Sequence, residues 1–145
     1  MTASQTSPTV IGLLSHPFPA CGSARIALFA MRRMGANGLE DAGAAHCLFS
    51  NFRQDFRRPL LLLRACMADL AGVANGPIAI APCCCPRMTG AEAALLAVLS
   101  RVEGQPEAAH LLLADLLGAR RIDGVLASAA AVAAAFADAG RPITG

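Results

Sequence analysis

Pro59-Leu-Leu-Leu-Leu-Arg-Ala-Cys-Met-Ala-Asp-Leu-Ala-Gly-Val-Ala74 decides the fold class of this chain. Leu60, Leu63, Met67, Leu70 and Ala74 recur at the spacing that lines one face of a helix. Pro59 fits a first helical position, where its missing N–H has no partner to lose, and Asn75-Gly76-Pro77 stops the pattern. The next segment, Ile78 to Ala81, is the one β-like run, and no second β-patterned segment offers itself as a partner. It reads as a buried extended connector.

Outward from this helix the same periodicity returns on both sides. Upstream, Ser23 is expected to cap a helix running to about Gly35, with Ile26, Ala27, Ala30, Met31 and Met34 on the core face. Arg25, Arg32 and Arg33 fall on the opposite, solvent face. A second helix near Leu39 to Phe52 begins with acidic Glu40 and Asp41, which suit a positive helix end, and is expected to bury Ala42, Ala45, Leu48, Phe49 and Phe52. Downstream, Thr89 and Glu92 have capping-box spacing, and Leu95, Leu96, Leu99 and Val102 follow on one face. Pro106 opens a fifth helix burying Ala109, Leu112, Leu113, Leu116 and Leu117, and Gly118 supplies its final turn. An alanine-rich sixth helix to about Ala139 carries Val125, Leu126, Ala129, Val132, Ala133 and Phe136. The expectation is an all-α fold: a single compact bundle of five or six helices over residues 16–145, preceded by a mobile or loosely docked tail over residues 1–15.

Composition agrees. The chain has 145 residues, 55% of them hydrophobic, with no Trp or Tyr, a bias toward helix formers and away from sheet formers. A chain of this size can bury roughly 70% of its unfolded surface, so its core needs no disulfide or metal staple. Net charge is +2, too small to imply a nucleic-acid or membrane partner, although all twelve basic residues are arginine. The first ten residues carry no positive charge, and His16, Pro17 and Pro19 interrupt the next segment, so no secretion signal is expected. The mostly apolar run Gly124 to Ala137 is shorter than the roughly 20 residues of a membrane span. A cytoplasmic setting is therefore expected, in which clustered thiols serve as metal ligands or redox groups more often than as structural disulfides.

The chemistry concentrates in Ala81-Pro-Cys-Cys-Cys-Pro-Arg-Met-Thr89. Thiolates are strong nucleophiles and soft metal ligands, and three in one short loop exceed what packing requires. Flanking prolines push Ala81 and Cys85 toward extended conformations. In an extended segment Cys83 and Cys85 point one way and Cys84 the other, so further ligands must come from elsewhere. The metal set read from the sequence is Cys83, Cys84, Cys85, Cys21 and Cys47, with His16 and His46 as further donors and zinc as the metal, its tetrahedral site needing four such ligands. Cys66, among Leu62, Leu63, Leu70 and Val73, reads as buried packing. His46 reads as a structural histidine and His110 as a surface residue. The redox reading makes Cys85 a helix cap before Pro86, with Cys83 or Cys84 resolving its oxidised form. Packing alone remains the competing explanation.

Arg53, Arg57, Arg58 and Arg64, interleaved with Phe52 and Phe56 around Pro59, form a second constellation, of which Arg53, Arg57 and Arg58 could contact an anion or a partner; such pairs also occur in nucleic-acid contacts. The same residues equally suit a solvated helix corner. No Ser-His-Asp set, phosphate-binding glycine loop, paired carboxylate site or metalloprotease spacing is present, so an enzyme is the least favoured class.

The blocks Asn51-Phe-Arg-Gln-Asp-Phe-Arg-Arg-Pro-Leu-Leu-Leu-Leu-Arg64 and Ala81-Pro-Cys-Cys-Cys-Pro-Arg-Met-Thr89 resemble a family of short bacterial proteins known only as a domain of unknown function. The likeness extends from about Phe18 to Ile143. It implies no activity, cofactor or partner. The functional expectation is a thiol loop that binds a transition metal or senses redox state; the alternative is a helical module for a protein partner, a second copy or, less favoured, nucleic acid.

Overall fold

Six α-helices follow one another through residues 14–145, the part of the chain that the computed structural model describes. They are α1 (Gly22–Asn37), α2 (Ala42–Phe52), α3 (Arg57–Val73), α4 (Gly90–Arg101), α5 (Pro106–Leu117) and α6 (Asp123–Asp138). The expected all-α bundle is what forms. Of the tail expected over residues 1–15, residues 1–13 lie outside the described part.

Local signals mark several of the helix ends. The carboxylate of Asp41 accepts the Ala44 N–H at 2.9 Å and caps α2. Thr89 and Glu92 form the full reciprocal capping box of α4. Gly118, at φ 62°, takes the left-handed turn that closes α5, its N–H donating to Ala114 O at 2.9 Å. The start of α1 differs from expectation: Cys21, not Ser23, occupies the cap position, and no side chain caps it. Helix α3 starts two residues before Pro59, which fits because an N–H in the first turn has no helical partner.

α3 packs most extensively on α6, α4 on α5, and α1 on α2. Leu28, Leu48, Leu63, Leu113, Val132 and Phe136 are wholly or almost wholly buried in one core cluster. Phe52 at the end of α2 meets Phe136 of α6 edge to face, ring centres 4.9 Å apart. Phe49, expected inside, is 46% exposed and rests its ring against Phe56 instead. Among the described residues no helix is long and apolar enough to cross a membrane.

The β-structure lies outside the connector read over residues 78–81. Residues 78–81 carry no strand, and a two-residue antiparallel ladder joins β1 (His16–Pro17) to β2 (Arg87–Met88). The chain before α1 is thereby tied to the residues just after the three cysteines. This ladder, the connector and the start of α4 surround the cysteine segment.

Candidate functional site

Pro82 to Cys85 forms a turn, closed by the Cys85 N–H donating to Pro82 O at 3.1 Å. Cys83 and Cys84 occupy its tip and are exposed, while Cys85 is half-buried. The fourth helix begins at Gly90, so Cys85 does not cap it as the redox reading required. The segment is a turn, not the extended run from which alternating side chains were read.

Beneath the turn lies a buried ion pair. Arg32 is 1% exposed and Glu92 0%. Nε and Nη2 of Arg32 donate to the two carboxylate oxygens of Glu92 at 2.8 and 3.0 Å. The same guanidinium donates to the carbonyl oxygens of Cys85 and Arg87 at 2.8 and 2.7 Å. Glu92 in turn accepts the N–H groups of Ala81 at 3.1 Å and Thr89 at 2.9 Å. Thr89 Oγ1 donates to Ala79 O at 2.6 Å. Every backbone segment entering or leaving the turn is thus bonded to one ionic centre or to its capping threonine. Burial alone would raise the Glu92 carboxyl, but Arg32 and the two N–H donors outweigh it and hold the carboxyl below its ordinary value.

Arg32 is therefore misplaced by the sequence reading, which set it on the solvent face of α1. Two neighbours extend the anchor. Arg33 donates to both carboxylate oxygens of Asp41 at 2.9 and 3.2 Å, and its guanidinium also lies beside the Cys83 thiol. Arg87 donates to Leu14 O and Ser15 O at 2.8 and 2.7 Å, reinforcing the β1–β2 ladder.

The remaining cysteines have separate surroundings. Cys21 contacts the segment after α6, its sulfur accepting the Thr144 N–H at 3.5 Å and lying 3.8 Å from Pro142 O. Partial burial would raise this thiol, but the hydrogen bonds from Thr144 and from the N–H groups of Ala24 and Ser23 bring it down to about 7. It lines a cleft of ≈ 650 Å³ with His16, Phe18 and Arg101. Cys47 is half-buried against the core; burial raises its thiol although Asn51 opposes the shift. Cys66 sits in the core as expected, and burial, with Asp69 adding to it, pushes its thiol up to about 12. His46 lies 3.4 Å from Ser50, and His110 is 4.0 Å from Asp123.

Among the described residues no three Cys, His, Asp or Glu side chains form a group that could hold a metal ion. The five cysteines read as a zinc set are not gathered into one, and the three consecutive thiols do not converge by themselves. At the arginine corner, Arg58 pairs with Asp138 at 2.7 Å and Arg57 lies over the Phe56 ring. The adjoining cleft of ≈ 360 Å³ is lined by Asp55 and Asp138 as well as Arg57 and Arg58, so acidic and basic groups share the surface proposed for an anion. Arg53 is exposed at the end of α2, with φ at 55°.

The model of a family of unknown function, DUF6628, matches residues 1–137. The chain belongs to this family. The match begins earlier than the span read from the two sequence blocks and stops at residue 137 rather than near Ile143, yet it contains the whole cysteine turn and its Arg32–Glu92 anchor. No curated protein and no solved structure matches the chain. For this DUF6628 member, function has to be argued from the turn itself.

Proposed function

We propose that the Pro82–Pro86 turn is a thiol redox element in which Cys83 and Cys85 cycle between dithiol and disulfide. One observation carries this reading: an exposed thiol turn is held from below by a buried guanidinium through the Cys85 carbonyl. An anchor that grips backbone and leaves the sulfurs free keeps the turn in place in both oxidation states.

Chain geometry favours one pair. Consecutive α-carbons stand about 3.8 Å apart, short of the roughly 4.4 to 6.8 Å that a disulfide spans. Residues two apart in a turn reach that range, which favours Cys83–Cys85 over either adjacent pair. The Cys83 thiolate attacks one sulfur of an external disulfide, and the other sulfur leaves as a thiolate. Cys85 then attacks the Cys83 sulfur of the mixed disulfide, closing the ring and releasing the second thiol. In total two protein thiols lose two electrons and two protons, and one disulfide becomes two thiols. Among the described residues no three Cys, His, Asp or Glu donors come together around the turn, which favours the redox reading over zinc binding.

The test is equilibration of the full chain in thiol–disulfide buffers of graded potential, followed by peptide mapping. A Cys83–Cys85 disulfide should form, persist in Cys84→Ser and vanish in Cys83→Ser and Cys85→Ser. Three thiols that stay reduced across the whole range sink the proposal.

A further inference from the structure

The charges around the turn do not cancel. Arg32, Arg33 and Arg87 adjoin it, Arg25 is joined to Arg32 across the Phe18 ring, and two carboxylates, Glu92 and Asp41, answer the four. Arg32 is neutralised by Glu92 and Arg33 by Asp41. Arg87 donates to the carbonyl oxygens of Leu14 and Ser15, and Arg25 donates to Pro19 O at 2.6 Å while lying 5.4 Å from the centre of the Phe18 ring. Among the described residues neither Arg25 nor Arg87 has a carboxylate partner. Carbonyls and a ring face satisfy the donors but leave the positive charge in place. Phe18 joins the group together, since its ring centre is also 5.8 Å from the Arg32 guanidinium that holds Cys85.

We infer that the redox partner of the turn is a low-molecular-weight disulfide bearing carboxylates, drawn to Cys83 by the unneutralised guanidinium groups of Arg25 and Arg87. The inference rests on the redox reading above and names the substrate class of that site. Arg33, beside the Cys83 sulfur, adds positive charge at the point of attack although Asp41 offsets its reach. In the first step a bond forms between the Cys83 sulfur and one sulfur of the incoming disulfide, whose own S–S bond breaks. The carboxylate-bearing thiolate departs, and the other half stays on Cys83 until Cys85 displaces it. Fixed positive charge concentrates an anion near the turn and repels a cation, an effect that added salt removes.

The experiment compares three symmetric disulfides on the full reduced chain: anionic dithiodipropionate, neutral hydroxyethyl disulfide and cationic cystamine. Each rate of mixed-disulfide formation at Cys83, read by timed quench and mass spectrometry, is divided by the rate of the same disulfide with an uncharged cysteine peptide. At low salt the normalised anionic rate should exceed the cationic one by about tenfold, a modest steering effect. On the order of 1 M salt should reduce that ratio to about twofold or less, since the Debye length falls to about 3 Å. Arg25→Gln, which removes an exposed charge, should lower the anion-to-cation ratio; salt dependence provides the same reading if Arg87→Gln disturbs the ladder. Equal normalised rates, or a faster cation, overturn the partner class and leave the redox reading standing. A turn untouched by the neutral disulfide overturns both.

Discussion

Arg32 and Arg33 are neighbours on α1, and each grips a carboxylate with two nitrogens at 2.8 to 3.2 Å. Their surroundings separate them. The Arg32–Glu92 side chains are 1% and 0% exposed, against 33% and 8% for Arg33–Asp41. In water a guanidinium that loses its partner is solvated again. In the core it is not, and removing one member strands the other without water or countercharge. Arg32–Glu92 also collects backbone groups from the connector, the cysteine turn, β2 and the cap of α4, whereas Arg33–Asp41 links α1 to the start of α2. Contact distances alone would rank the two pairs as equals. Burial and the number of dependent segments make one a structural centre and the other a surface clip.

The comparison breaks first at the buried pair. Arg32→Ala or Glu92→Ala should cost about 3–5 kcal/mol in urea unfolding, because each leaves an uncompensated buried charge. The double change Arg32→Met with Glu92→Leu is the sharper arm. Where a buried ion pair serves only itself, apolar replacement restores or even raises stability. Here the N–H groups of Ala81 and Thr89 and the carbonyls of Cys85 and Arg87 would all lose partners. The two N–H groups are buried, and each orphaned buried group costs about 1–3 kcal/mol, so the double variant should remain below the parent. A double variant as stable as the parent would show that the backbone groups find other partners and that the anchor is an ordinary ion pair.

How much of this was legible depends on what each residue reports about itself. The capping box at Thr89 and Glu92 and the inward row Leu95, Leu96, Leu99 and Val102 are local patterns, and they stand as read. The second task of Glu92 was invisible, because its partner lies 60 residues away. Arg32 was misread for a more instructive reason. The row Ile26, Ala27, Ala30, Met31 and Met34 leaves out Leu28, which is fully buried. Arg32 stands one helical turn after Leu28 and continues that stripe inward. Counting Leu28 as core would have flagged a charged residue on a buried stripe, which calls for a charged or hydrogen-bonding partner. The fate of the thiols was legible only for Cys66, whose burial is signalled by the apolar residues on its own helix face. The setting of Cys21 depends on Thr144, and that of Cys83 on Arg33, contacts that no local pattern encodes.

Acid sharpens the same contrast with a smaller effect. The Glu92 carboxyl is held below its ordinary value, so its contribution is fully present above the unfolded-state value of about 4.3 and is lost as pH falls through the lower folded-state value. Asp41 is lowered too, first by its hydrogen bond from Arg33, and has the same sign. The urea midpoint should therefore drop as pH falls below about 4.3, the carboxylate reference value. Glu92→Gln, already destabilised at neutral pH, should show a flatter acid limb than the parent, and Arg33→Gln a limb close to the parental one. If Arg33→Gln flattens the limb as much as Glu92→Gln, burial does not separate the pairs.

The smallest effect isolates the surface clip. A Cβ on Gly43 would stand 2.7 Å from the Arg33 guanidinium, so Gly43→Ala pushes that guanidinium away from Asp41 without deleting any charge. The obstacle is the far end of a flexible side chain, which can swing into water. Asp41 keeps the Ala44 N–H it caps, so the start of α2 survives. Exchanging glycine for alanine inside a helix favours the helix by up to about 1 kcal/mol, and this gain acts against the lost clip. The urea midpoint of Gly43→Ala should equal or exceed that of the parent. A loss approaching that of Arg32→Ala would mean that Arg33–Asp41 supports more than two helix ends, and the contrast between the adjacent arginines would fail.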